Sequence, residues 1–111
     1  MKAKVEIEAG VCGFTTVAKA ACDDGQHVEF DVKSGCEKVR KFAEALKTVG
    51  AVDAFQEISG KKQSKVMDAA KKTLKGCCSA CVAPCGVFKA MQVAAGLALP
   101  KNISLKISKE E

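Results

Sequence analysis

Cysteine stands at positions 12, 22, 36, 77, 78, 81 and 85 of the 111-residue chain. The segment Cys77-Cys78-Ser79-Ala80-Cys81-Val82-Ala83-Pro84-Cys85 holds C-x-x-C (78, 81) followed by C-x-x-x-C (81, 85). Thiolates so spaced do one of two things. They ligate a thiophilic metal, or one attacks a sulfur and another resolves the mixed disulfide. The pattern is not the ferredoxin run C-x-x-C-x-x-C-x-x-x-C-P. It also lacks the paired C-x-x-C of a zinc ribbon. It follows a predicted helix, not a strand, which counts against a thioredoxin-type site. Cys77 and Cys78 are adjacent and cannot both easily face one site, so one of them is expected to be spare. Cys22, inside a predicted strand, reads as a small core hydrophobe.

Other chemistry is sparse. His27 is the single histidine, and it falls on the polar face of a predicted strand, where a solvated role fits best. No Ser/His/Asp arrangement, phosphate loop or carboxylate pair stands out. Asp23 and Asp24 are turn residues, and Met67 and Met91 are core residues.

Composition narrows the class. With 48% hydrophobic and 28% charged residues, the chain reads as one globular domain, residues 1–111. A chain this long buries roughly two-thirds of its unfolded surface, so disulfides are not required. The start alternates charged and apolar residues and lacks the apolar core of a signal peptide. The stretch Val87–Leu99 carries Lys89 and Gln92 and is too short for a bilayer. A cytoplasmic protein without a membrane partner is therefore expected. In that compartment clustered cysteines are metal-binding or redox-active rather than a disulfide frame. The net charge of +5 is carried by Lys61, Lys62, Lys65, Lys71, Lys72 and Lys75, set against Asp68. These lysines form either a solvated helix face or a docking surface for an acidic protein partner. Nucleic acid is not expected: Arg40 is the sole arginine and there is no Tyr or Trp.

Three strands are expected first. Lys2–Ala9 alternates Ala3, Val5, Ile7 and Ala9 with charged residues. Residues 14–22 form a second strand, closed by Asp23-Asp24-Gly25, and His27–Ser34 alternates again. Ser34-Gly35-Cys36-Glu37 matches the S-x-x-E capping box and predicts a helix, which continues through Val39, Phe42, Ala43, Leu46 and Val49 to Gly50. A short helix over 52–58 comes next, and then one marked by Val66, Met67, Ala70 and Leu74. Pro84 opens the last helix as its first residue, with Cys85 second. This helix is apolar on most sides and belongs in the core. Asn102–Ser108 alternates Ile103, Leu105 and Ile107 with polar residues and predicts a final strand. Setting the short 52–58 helix aside, the order is β-β-β-α-α-α-β. The fold class is α+β: two layers, a mostly antiparallel sheet with helices on one face.

Following strand and helix directions brings Cys12, Cys36 and the 77–85 group to one end, provided that the 51–59 segment makes no extra pass. Cys36 and Cys85 then sit in the first turns of helices, whose free N–H groups favour thiolates. Gly10, Gly13 and Gly86 would let backbone approach a bulky inorganic group.

The stretches Gly10-Val11-Cys12-Gly13-Phe14-Thr15-Thr16, Ser34-Gly35-Cys36 and Ala94-Ala95-Gly96-Leu97-Ala98-Leu99-Pro100-Lys101 carry a resemblance. Over nearly the whole chain it resembles a family of small, uncharacterised cysteine-containing proteins found largely in anaerobic prokaryotes. The resemblance implies an oxygen-poor cytoplasm, where thiolate-bound iron–sulfur clusters survive, and it matches Cys12 and Cys36.

The expected function is thiolate binding of an iron–sulfur cluster, or of zinc or another thiophilic metal, through Cys12, Cys36, Cys81 and Cys85. Cys77 and Cys78 are substitutes. The role would be electron transfer, cluster carriage or sensing rather than catalysis. The alternatives are a thiol redox or sulfur-relay enzyme using the 78–85 cysteines, and a module without cofactor that docks through the Lys61–Lys75 face.

Overall fold

The structure is a computed structural model and describes residues 1–110. Three strands, β1 (Lys2–Glu8), β2 (Thr15–Cys22) and β3 (His27–Ser34), form an antiparallel meander. A two-residue strand, β4 (Val52–Asp53), pairs with His27 and Val28 and makes the sheet order β1-β2-β3-β4. Among the described residues four helices follow the meander: α1 (Glu37–Val49), α2 (Ala54–Ser59), α3 (Lys65–Thr73) and α4 (Ala83–Ala94). A 3-10 turn lies at Gly76–Cys78.

Register explains why one sheet face is dry. Ile7, Thr16 and Ser34 are cross-strand neighbours, as are Val5, Ala18 and Val32, and Ala3, Ala20 and Phe30. Side chains alternate along each strand, so these residues share one face. Ala18, Ala20 and Val32 on it are buried. The opposite face carries Lys2, Lys4, Glu6, Lys19, Glu29 and Asp31, all exposed. α4 packs on β1 and β2, and α1 packs on β3 and α3. Val39, Phe42 and Leu46 of α1 and Val87, Ala90 and Met91 of α4 meet the sheet's apolar residues in one core. By length and composition the 76–94 stretch could cross a membrane; in this fold its α4 part fills the core.

Gly86 sets how closely α4 approaches β1. A Cβ there would collide with the Ile7 side chain and press on Val5. The glycine is buried and serves helix–sheet packing, whereas the sequence suggested that it lets backbone approach an inorganic group. Gly86→Ala should destabilise the fold by about 1–3 kcal/mol through overpacking. Combining it with Ile7→Val, which removes the nearest methyl, should recover part of that loss in denaturant titrations.

The chain after α4 departs from expectation. Residues 101–110 form no strand and are exposed. The Lys101 N–H donates to the Leu99 carbonyl at 2.9 Å, a tight turn around Pro100 just before this segment. Alternation says which face a strand would show, but not that an edge receives it. The fourth strand comes instead from β4, too short to show any period.

At the sheet end opposite the 9–14 loop, Asp24 organises the β2–β3 turn. Its Oδ1 accepts the N–H groups of Gln26 (2.9 Å) and His27 (2.7 Å), and its Oδ2 lies 2.7 Å from His27 Nδ1. The backbone N–H of His27, then its ring, hold the Asp24 carboxyl well below the usual carboxylate range. The hydrogen bond that the His27 ring N–H donates to Asp24 in turn raises His27 above its ordinary value. The stabilisation from His27 is therefore fully present below its unfolded pKa and lost as pH rises through the higher folded one. An NMR titration should place the His27 midpoint above about 6.5, and Asp24→Asn should bring it down. An unchanged midpoint in that variant would show that the carboxylate is not the cause.

Candidate functional site

The sheet end at which β1 stops and β2 begins collects most of the cysteines. Cys12 is exposed in the 9–14 loop. That loop is closed by hydrogen bonds from Ala9 N–H to Phe14 O (3.1 Å) and from Gly13 N–H to Gly10 O (2.9 Å). Gly10 and Gly13 have φ of +86° and +74°, a left-handed backbone open to glycine at no steric cost. The Phe14 ring lies against Gly35, where a Cβ would sit 3.2 Å from Phe14 Cδ1. The Cys12 loop is thus seated beside the segment leading to Cys36.

Cys36 is the N-cap of α1 and is half-buried, with no side-chain cap hydrogen bond. This differs from the expected capping box. Ser34 Oγ is used locally instead: it accepts the Cys36 N–H at 3.1 Å and the Thr16 hydroxyl at 2.9 Å. The serine is drawn back to β2, so the helix starts after Cys36 rather than at Gly35. The thiol nonetheless stands at the positive end of the helix dipole.

The 77–85 group reaches the same end because α3 returns there. Lys38 Nζ, near the start of α1, donates to the Lys75 carbonyl at 3.4 Å. Between α1 and α3 the chain makes no full extra pass, only β4 and α2. α3 is anchored at its own start. Ser64 Oγ caps it by accepting the Met67 N–H (3.1 Å). Glu57 of α2 is 7% exposed and accepts the N–H groups of Lys65 (2.8 Å) and Val66 (2.9 Å) and the Ser64 hydroxyl (2.8 Å). This buried carboxylate at a helix N-terminus was not foreseen: in sequence it is an ordinary polar residue of a short helix.

Beyond α3 the 3-10 turn carries Cys77, exposed, and Cys78, half-buried. The Cys81 N–H donates to the Cys78 carbonyl at 3.1 Å. An i to i+3 bond of this kind closes a turn whose end Cα atoms lie within about 7 Å. Both thiols pack against the core's margin. α4 starts one residue earlier than expected, so Pro84 is its second residue and Cys85 its third; Cys85 is exposed. Cys22 is 2% exposed, at the far end of β2, with its Sγ 3.8 Å from Asp24 Oδ1. It is a core residue.

Six cysteines from four chain segments thus share one end of the molecule, and all seven are free thiols. They are not drawn into a cage. Among the described residues no three His, Cys, Asp or Glu side chains are arranged to hold one metal ion. The lysines at 61, 62, 65, 71, 72 and 75 are all exposed, and Lys72 pairs with Asp68 at 3.1 Å.

Residues 3–107 match the profile of DUF6951, a family of unknown function. The chain belongs to that family. The match takes in all seven cysteines of this DUF6951 protein, from Cys12 to Cys85, and also the segment after α4. No curated protein and no solved structure matches the chain.

Proposed function

We propose that the cysteine end of this DUF6951 protein binds an iron–sulfur cluster or another thiophilic metal through Cys12, Cys36, Cys81 and Cys85. Electron transfer, cluster carriage or sensing would be its use. The observation that supports the reading is convergence. The 9–14 loop, the start of α1, the 3-10 turn and the start of α4 each bring cysteine to the same end, none of it spent on disulfides. A thiol exchanger needs two such residues and leaves Cys12 and Cys36 unexplained.

The reading requires movement, because the thiols do not already surround one point. The Gly10–Gly13 loop is the part suited to supply it. Thiolates repel one another without a cation, and metal binding is coupled to ordering of the ligands. Cys78 is the substitute ligand nearest Cys81 in the turn, and Cys77 is the spare. Iron in place of zinc rests on the anaerobic setting that the resemblance implies. Cytoplasmic location is part of the same proposal. To test the reading, the protein is expressed and purified without oxygen, and iron, zinc and sulfide are measured with the visible spectrum. A stoichiometric metal content supports it, and absence of all three sinks it.

One observation favours a second reading. The Cys78–Cys81 turn holds its Cα atoms near the separation of about 4.4–6.8 Å that a disulfide needs. One thiolate would attack a substrate disulfide and release a thiolate. The other would then break the mixed disulfide, leaving Cys78–Cys81 oxidised and the substrate reduced by two electrons. A reversible Cys78–Cys81 disulfide in redox titration, with no bound metal, is the outcome that reading expects. The exposed lysine face, Lys61 to Lys75, is the proposed docking surface for an acidic protein partner in either case.

A further inference from the structure

Two features of the fold are incomplete in the same way. β1 is an edge strand whose outer side has no partner strand among the described residues. On the dry face of the sheet its Ala3 and Val5 are only half-buried, whereas Ile7, covered by α4, is 6% exposed. The 101–108 segment alternates Ile103, Leu105 and Ile107 with Asn102, Ser104, Lys106 and Ser108. Its apolar residues are 63%, 72% and 93% exposed, and Leu99 before them is 79% exposed. The chain thus holds both a segment of clean apolar alternation with no sheet and a sheet edge with no partner strand, and unprotected edges of this kind recruit strands.

We propose that residues 102–108 add to the free edge of β1 in a second copy of this chain, giving a reciprocal strand-exchanged dimer. The side chains choose the register. For Ile103, Leu105 and Ile107 to join the dry face they must line up with Ala3, Val5, Ile7 and Ala9. Parallel pairing with Leu105 beside Val5 sets Lys106 opposite Glu6. Antiparallel pairing with Leu105 beside Ile7 does the same. Opposite charges therefore face each other across the new ladder in either direction. A one-residue slip would expose the whole apolar set.

The size suits a weak dimer. Reciprocal exchange engages seven residues of β1 and seven of the tail in each copy. The exposed Leu99 and Met1 bring the count to about sixteen a side, below the roughly 20–30 of a stable interface, so the dimer is a weak one. The second copy is favoured over the chain's own edge because within one chain residues 101–110 stay exposed and unpaired with β1. Exchange of an element between identical chains is a low-cost route to dimers.

The test uses the full chain. Light scattering over a wide concentration range should show a monomer–dimer equilibrium. Leu105→Asp should weaken it at least about ten-fold while leaving the far-UV circular dichroism unchanged, since Leu105 touches little in the monomer. Lys106→Glu should weaken it about two- to five-fold, and adding Glu6→Lys should restore it. Carbodiimide cross-linking of a mixture of normal and heavy-nitrogen protein should give Glu6–Lys106 peptides of mixed isotope. A protein monomeric at every concentration overturns the proposal. So does a dimer indifferent to these variants, or a Glu6–Lys106 cross-link found only within single chains.

Discussion

Cys81→Ser should lower the affinity of the reduced protein for a thiophilic metal by about 100-fold or more, and Cys36→Ser should do the same. Removal of a second-shell partner alone already costs about 10–100-fold at metal sites, and a lost thiolate takes away a direct bond. Both residues are half-buried at the margin of the core, and serine is close to isosteric with cysteine, so folding should be nearly unaffected. Cys77→Ser should change affinity little, because Cys77 is exposed beside Cys78 in the 3-10 turn. Cys22→Ser should instead destabilise the protein with no effect on metal, since it places a hydroxyl in the core. Competition against a colorimetric chelator measures all four variants. Equal affinities for wild type and Cys36→Ser would remove Cys36 from the site.

Glu57→Ala should destabilise the fold by about 3 kcal/mol. The carboxylate accepts three hydrogen bonds at the start of α3. Bonds to charged groups are worth about 1.5–3 kcal/mol each, though not additively. Alanine also leaves the Val66 N–H buried without its acceptor. Against a total stability of about 5–15 kcal/mol, the melting temperature should fall by roughly 10–20 °C. Glu57→Gln keeps the shape and loses the charge, so it should cost less. The effect should reach the cysteine end as well. α3 is the element that returns the chain to Lys75, and loosening its start should raise amide exchange through 75–81. A Glu57→Ala protein as stable as wild type would mean that Ser64 alone secures the helix.

How far the sequence could be read depended on whether a feature was periodic. β1, β3 and α1 are long enough for apolar spacing to place them, and the buried residues Val39, Phe42 and Leu46 are those the spacing selects. β4 has two residues and is defined by a partner, so no local pattern marks it. Asn102–Ser108 shows the converse: a good period with no edge assigned to it. Ser34-x-x-Glu37 has the letters of a capping box, but the hydroxyl is engaged by Thr16 across the sheet, which is tertiary information. The same holds for Gly86, whose role depends on Ile7, 79 residues away in the chain. Co-location of Cys12, Cys36 and the 77–85 group was legible because it needs only strand and helix directions. Their side-chain arrangement was not, because it depends on loop conformations that no period governs.

The central claim, that thiols from separate segments act as one site, is tested most directly by residue-resolved alkylation of the reduced protein with and without one equivalent of zinc. Cys22 should react slowly in both conditions because it is buried, which provides an internal control. Cys12, Cys36, Cys81 and Cys85 should become slow together when zinc is present, while Cys77 keeps its rate. Protection limited to Cys78 and Cys81, or no protection at any cysteine, would contradict a shared site.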